Sequence, residues 1–195
     1  MYIETERLII RSFVEGDADA LYRIKTDPQV CEYIPDFLDV EVERAQIVEY
    51  IRKFRQLEEW DDFDIWRCYA LEEKDSGTVV GCLSFGKSEM LFEYELGWMM
   101  IGEYSGYGYA AEAAAVFAEN FCKNQGVDYL IVIMDVDNPA SRRTAEKSGF
   151  KLFEKRTVYD YHYNRYCDDY YYFRRYYSGC QLKQKYYGDV PYTGR

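Results

Sequence analysis

Hydrophobic and polar positions along the chain switch between a strand-like and a helix-like period, and the switch points divide it into elements. Leu8, Ile9 and Ile10 form the apolar centre of residues 2–12, and Phe13 closes that run before Glu15-Gly16-Asp17 breaks it, which predicts a first strand. Asp17 stands where a helix cap is expected, and Ala18, Leu21, Tyr22 and Ile24 follow at helical spacing. That helix should stop at Asp27-Pro28, because the residue before proline avoids the helical region. Three- and four-residue steps through Val42, Ala45, Ile47, Val48, Ile51, Phe54 and Leu57 predict a second helix over residues 41–58. Residues 66–72 and 79–84 read as strands joined by Lys74-Asp75-Ser76-Gly77, a hairpin. The run 94–101 is apolar enough for a strand buried on both faces.

A turn carrying Gly102, Gly106 and Gly108 leads into a helix dense in alanine, from Ala110 to Phe121, which Gly126 ends. Residues 129–136 form a β-branched strand, 139–148 a polar-faced helix ended by Gly149, and 150–158 a further strand. This order contains a βαβ unit with a right-handed crossover expected. Residues 166–176, almost all aromatic or charged, read as a final antiparallel strand. Residues 1–177 are expected to form one domain, and 178–195 a Tyr-rich tail packed through Tyr186, Tyr187 and Tyr192.

Composition narrows the function classes. At 195 residues, 48% hydrophobic and 30% charged, the chain can bury a sizeable core. A net charge of −11 repels nucleic-acid phosphates and favours a cationic partner, so no nucleic acid is expected. The absence of any apolar run of signal-peptide or membrane-span length predicts a cytoplasmic protein with no membrane association. Cys31, Cys68, Cys82, Cys122, Cys167 and Cys180 form no C-x-x-C pair, and His162 is the only histidine, so reduced thiols and no metal are expected. The 22 tyrosines, bunched toward the C-terminus, suit partly buried strands, an interface, or an acceptor pocket over residues 159–177.

The chemistry centres on Tyr104-Ser105-Gly106-Tyr107-Gly108-Tyr109-Ala110. A strand that enters a glycine turn and then a helix leaves the first helical N–H groups free, adds the positive end of the helix dipole, and lets a diphosphate approach the backbone. A tight turn with no ligand explains the glycines equally well. No Gly-Lys-Ser/Thr follows, and the unit lies mid-chain after a hairpin, which excludes a P-loop and an opening dinucleotide unit and leaves a carrier such as coenzyme A.

Thr5-Glu6-Arg7-Leu8, Asp27-Pro28-Gln29-Val30, Gly81, Glu95-Leu96-Gly97-Trp98, the turn with its continuation Ala111-Glu112-Ala113, and Asn138-Pro139-Ala140-Ser141 leading to Glu146-Lys147-Ser148-Gly149-Phe150 occur in one order. In that order the chain resembles the GCN5-related N-acetyltransferases (GNAT), over about residues 1–173 and closest to the RimJ/RimL-like branch. The resemblance implies an α+β fold of three layers, α/β/α: a mixed, mostly antiparallel central sheet with a parallel splayed pair and flanking helices. It implies acetyl-CoA as co-substrate, its diphosphate on Ser105, Gly106, Tyr107, Gly108, Tyr109 and Ala110. Its pantetheine would lie along the backbone of Leu96, Trp98, Met99 and Met100 and bond Asn138. The position three before Gly106, often Gln or Arg in the superfamily, is Glu103 here, which shifts phosphate binding onto backbone N–H groups and the Ser105 hydroxyl.

Direct acetyl transfer needs a neutral amine, an oxyanion donor and a proton for the departing thiolate. A backbone N–H near Met99 or Met100 is the oxyanion candidate. Glu95 is the first candidate base, acting through water, and Asp135 the second; Glu95 reads equally as a surface carboxylate paired with a neighbouring strand. With one distant histidine and no Ser–His–Asp order, a covalent acyl-enzyme is not expected. The resemblance gives Ser141 to the thiolate, while its position and that of Asn138 also suit helix capping. The expected acceptor is a primary amine, either a small cationic molecule or a peptide N-terminus. An α-amine of pKa about 7.7–8.0 asks less of a base than a lysine at about 10.4. Asp61-Asp62-Asp64 is a candidate for steering such a cation. Monomer and homodimer both remain open, as does a non-catalytic CoA-binding sensor of the same fold.

Overall fold

The structure, a computed structural model, describes residues 1–34, 44–88, 91–160 and 165–182. Among them, eight strands, β1 (Tyr2–Glu4), β2 (Leu8–Ser12), β3 (Arg67–Glu73), β4 (Val79–Lys87), β5 (Tyr94–Met100), β6 (Tyr129–Asp135), β7 (Lys151–Asp160) and β8 (Arg165–Tyr176), form one sheet in the order β1-β2-β3-β4-β5-β6-β8-β7. The helices are α1 (Ala18–Thr26), α2 (Pro28–Cys31), α3 (Arg44–Glu59), α4 (Tyr109–Gln125) and α5 (Pro139–Lys147). Residues 41–43 of the expected second helix, His162 and the tail tyrosines Tyr186, Tyr187 and Tyr192 lie outside the described residues. The chain divides into two compact units, Met1–Gly86 with Trp98–Ala114, and Lys87–Gly97 with Ala115–Arg195.

In the first unit, β1 to β4 pair antiparallel in sequence order. The apolar stripes of α1 (Leu21, Ile24) and α3 (Ile47, Ile51, Phe54) bury against Cys68 and Ala70 of β3, Cys82 of β4 and Met99 of β5. Free, buried Cys68 and Cys82 serve there as small apolar residues. Two expectations need correction. Residues 2–12 are two strands rather than one, because the Thr5 hydroxyl and amide bond back to Leu8 and close a turn. Asp17 does not cap α1 through its side chain. Its carboxylate instead takes two bonds from Arg11, at 2.6 and 3.0 Å, and one from the Val14 amide at 2.9 Å.

β4 approaches β5 closely at Gly81. A Cβ there would lie 2.5 Å from the Met99 carbonyl oxygen and 2.7 Å from the Met100 sulfur. The backbone oxygen cannot yield as a side chain can, so Gly81→Ala is expected to destabilise the fold by about 1–3 kcal/mol, read as a lower urea midpoint.

In the second unit, β5 and β6 run parallel, meeting at Glu95 opposite Ile131, and β8 pairs antiparallel with both β6 and β7. The expected final antiparallel strand is therefore inserted between its predecessors. Along β5 the two buried residues, Leu96 and Met99, are three apart and so lie on opposite faces, with the remaining residues half-buried. Part of the C-terminal tyrosine run packs the strands: Tyr172 is buried, and with Tyr129 and Arg174 it hydrogen-bonds the Glu93 carboxylate.

Candidate active site

The glycine turn lies in the first unit. A short 3-10 turn, Gly102–Tyr104, leaves β5, and Asp27 holds it: its Oδ2 accepts from the Gly102 amide at 2.9 Å while its Oδ1 accepts from Gln29 at the start of α2. Gly106 and Gly108 adopt φ of +87° and +84°, which side-chain-bearing residues rarely sustain. Between them the backbone turns into α4, whose first closing bond runs from the Glu112 amide to the Gly108 carbonyl. Among the described residues, the amides of Gly106, Tyr107, Gly108, Tyr109, Ala110 and Ala111 meet no protein acceptor. Ser105, Gly106 and Tyr107 are exposed. This is an open row of donors at the positive end of a 17-residue helix.

Two groups not assigned to the site from sequence shape this turn. Glu112, in the first turn of α4, accepts from the Thr5 hydroxyl at 2.6 Å, the Arg7 amide at 2.7 Å and Arg7 Nε at 2.7 Å. Burial alone would raise its carboxyl, but these bonds outweigh it and hold the group below the usual carboxylate range. Arg7 also donates from Nη1 to the Tyr107 carbonyl at 3.0 Å and lies over the Tyr109 ring. Thr5-Glu6-Arg7-Leu8 and Glu112 stood in the family anchors, but nothing local tied one to the other. Glu103 turns to Arg23, at 2.8 Å.

The candidate catalytic groups lie in the second unit. Burial raises the Glu95 carboxyl from 4.5 to about 7, with the Ser88 hydroxyl opposing the rise. That hydroxyl is buried and has no partner at full hydrogen-bond geometry among the described residues. Ser88 carried no signal in the sequence. Asp135 organises its own turn, its Oδ1 accepting from the Asp137 amide at 2.8 Å. Asn138 caps α5, Oδ1 accepting from the Ser141 amide at 2.9 Å, which leaves its side-chain N–H groups and the Ser141 hydroxyl free of partners among the described residues. No hydrogen bond joins Glu95, Asp135 and Ser141 among the described residues. Nor, among the described residues, is any group of three or more His, Cys, Asp or Glu placed to hold a metal, or any helix long and apolar enough to cross a membrane.

A family profile described as "Acetyltransferase (GNAT) domain" matches residues 7–151. The chain belongs to the GNAT family and is an acetyltransferase. It is 29% identical over 174 residues to the uncharacterized N-acetyltransferase YnaD of Bacillus subtilis (strain 168), spanning 88% of this chain and 95% of that protein. The crystal structure of a GNAT-family acetyltransferase from Bacillus anthracis is similar at TM-score 0.73 and 25% identity, covering 90% of this chain and 98% of that one. RimL, a ribosomal L7/L12 alpha-N-protein acetyltransferase solved in complex with coenzyme A, shares the fold at TM-score 0.74 and 16% identity, covering 91% and 98%.

Proposed function

We propose that residues 1–177 form a cytoplasmic N-acetyltransferase domain that moves an acetyl group from acetyl-CoA to a primary amine by direct attack. The observation that carries this reading is the row of amides from Gly106 to Ala111 that meets no protein acceptor among the described residues, with Gly106 and Gly108 at positive φ. Those donors fit a diphosphate, and the Ser105 hydroxyl adds one more. The backbone of Leu96, Trp98, Met99 and Met100 and the Asn138 amide group would hold the pantetheine. Glu95, ionising near neutrality, would take the amine proton through water; Asp135 is the second candidate. A main-chain N–H near Met99 or Met100 would donate to the developing oxyanion. The Ser141 hydroxyl would donate to the departing thiolate.

Ser141→Ala separates catalysis from helix capping. The cap uses the Ser141 amide, which alanine keeps. Turnover is therefore expected to fall about ten- to a hundredfold with CoA affinity unchanged, and unchanged turnover removes Ser141 from the mechanism. The function itself is tested by release of free thiol from acetyl-CoA across panels of peptides, polyamines and amino sugars. The net charge of −11 favours the cationic members. No release with any amine, by a folded protein, sinks the reading.

A further inference from the structure

The turn lacks a basic side chain at Glu103, yet a cation lies against it from the other end of the chain. Arg7 is held on three sides: Nε on Glu112 at 2.7 Å, Nη1 on the Tyr107 carbonyl at 3.0 Å, and the guanidinium 4.6 Å from the Tyr109 ring centroid. Among the described residues Nη2 has no acceptor, and it lies 3.6 Å from where a Cβ would stand on Gly108. The side chain is 43% exposed. Glu112 would by itself place a negative charge beside the open amides; pairing with Arg7 cancels that field and leaves the outer edge of the guanidinium facing the turn. A fork fixed at three points loses little rotamer freedom on meeting a further oxyanion.

We propose that Arg7 is a binding residue for the phosphorylated co-substrate, donating from Nη2 to a phosphate oxygen of a ligand seated on Gly106–Ala111. The proposal rests on the reading of that turn as a coenzyme A site. It recruits Thr5-Glu6-Arg7-Leu8, the turn between edge strand β1 and its neighbour β2, into ligand recognition.

Calorimetric titration of the full chain with CoA and with dephospho-CoA tests it on wild type, Arg7→Gln and Glu112→Gln. Both substitutions break the same latch and should lower the melting temperature alike. Arg7→Gln is expected to weaken CoA about tenfold, the scale of one charge-assisted hydrogen bond. Glu112→Gln, which keeps the cation and removes the nearby anion, is expected to hold or tighten CoA. Weakening by Arg7→Gln that persists with dephospho-CoA assigns the contact to the diphosphate; weakening confined to CoA assigns it to the ribose phosphate. Equal weakening by both variants, or none by Arg7→Gln, overturns the proposal and leaves Arg7 a structural latch. If Arg7→Gln does not fold, Arg7→Lys, which keeps the charge and removes Nη2, carries the test: weakened CoA binding supports the proposal and unchanged affinity overturns it. Failure of the wild type to bind CoA overturns the underlying site instead.

Discussion

Valine at Gly108 is expected to lower CoA affinity about a hundredfold, with a parallel loss of thiol release. Gly108 sits at φ +84°, where a β-branched residue is strained by roughly 1–3 kcal/mol, and the strain relaxes by turning the amide row away from the ligand. The new Cβ would also stand 3.6 Å from Arg7 Nη2, on the approach path of a phosphate. Losing one or two amide bonds to a charged group costs about 1.5–3 kcal/mol each, which matches that fold-change. Gly106→Val, at φ +87° with nothing within 4 Å of its Cβ, isolates the backbone effect and should be milder. Folded variants that keep wild-type affinity would show the diphosphate is held elsewhere.

Glu95→Gln is expected to reduce kcat/KM about a hundred- to a thousandfold and to flatten the rise in activity centred near pH 7. The base must be ionised to work, and burial delays that ionisation from 4.5 to about 7, so wild-type activity should climb through neutrality. Stability should move the opposite way. Because the folded pKa is raised, the folded chain binds more protons than the unfolded one between 4.5 and about 7, and stability falls as pH rises through that window. Glu95→Gln never charges, so its melting temperature should exceed that of wild type at about pH 8 and converge with it below about pH 4.5. A variant with full activity and an unaltered pH profile would hand the role to Asp135 or to solvent.

The elements legible from sequence are those whose evidence is local. The hairpin of β3 and β4, the Ala-rich α4, the Pro139 start of α5 and the glycine turn each rest on periodicity, propensity or dihedral preference within a few residues, and each stands within a residue or a few of its expected bounds. Asp27-Pro28 did stop α1, but nothing local to that pair signals that the same carboxylate also anchors Gly102, 75 residues on.

Residues alone were enough to read the order and kind of most elements, the family motifs and the glycine turn, since periodicity and dihedral preference act within one segment. Only the assembled fold shows that β8 inserts between β6 and β7, that the Thr5–Arg7 turn splits the first strand and grips Glu112, and that burial pushes the Glu95 carboxyl up to about 7. Strand partners, ion pairs and desolvation are set by groups far apart in the chain, and no pattern within a segment encodes which distant group will arrive.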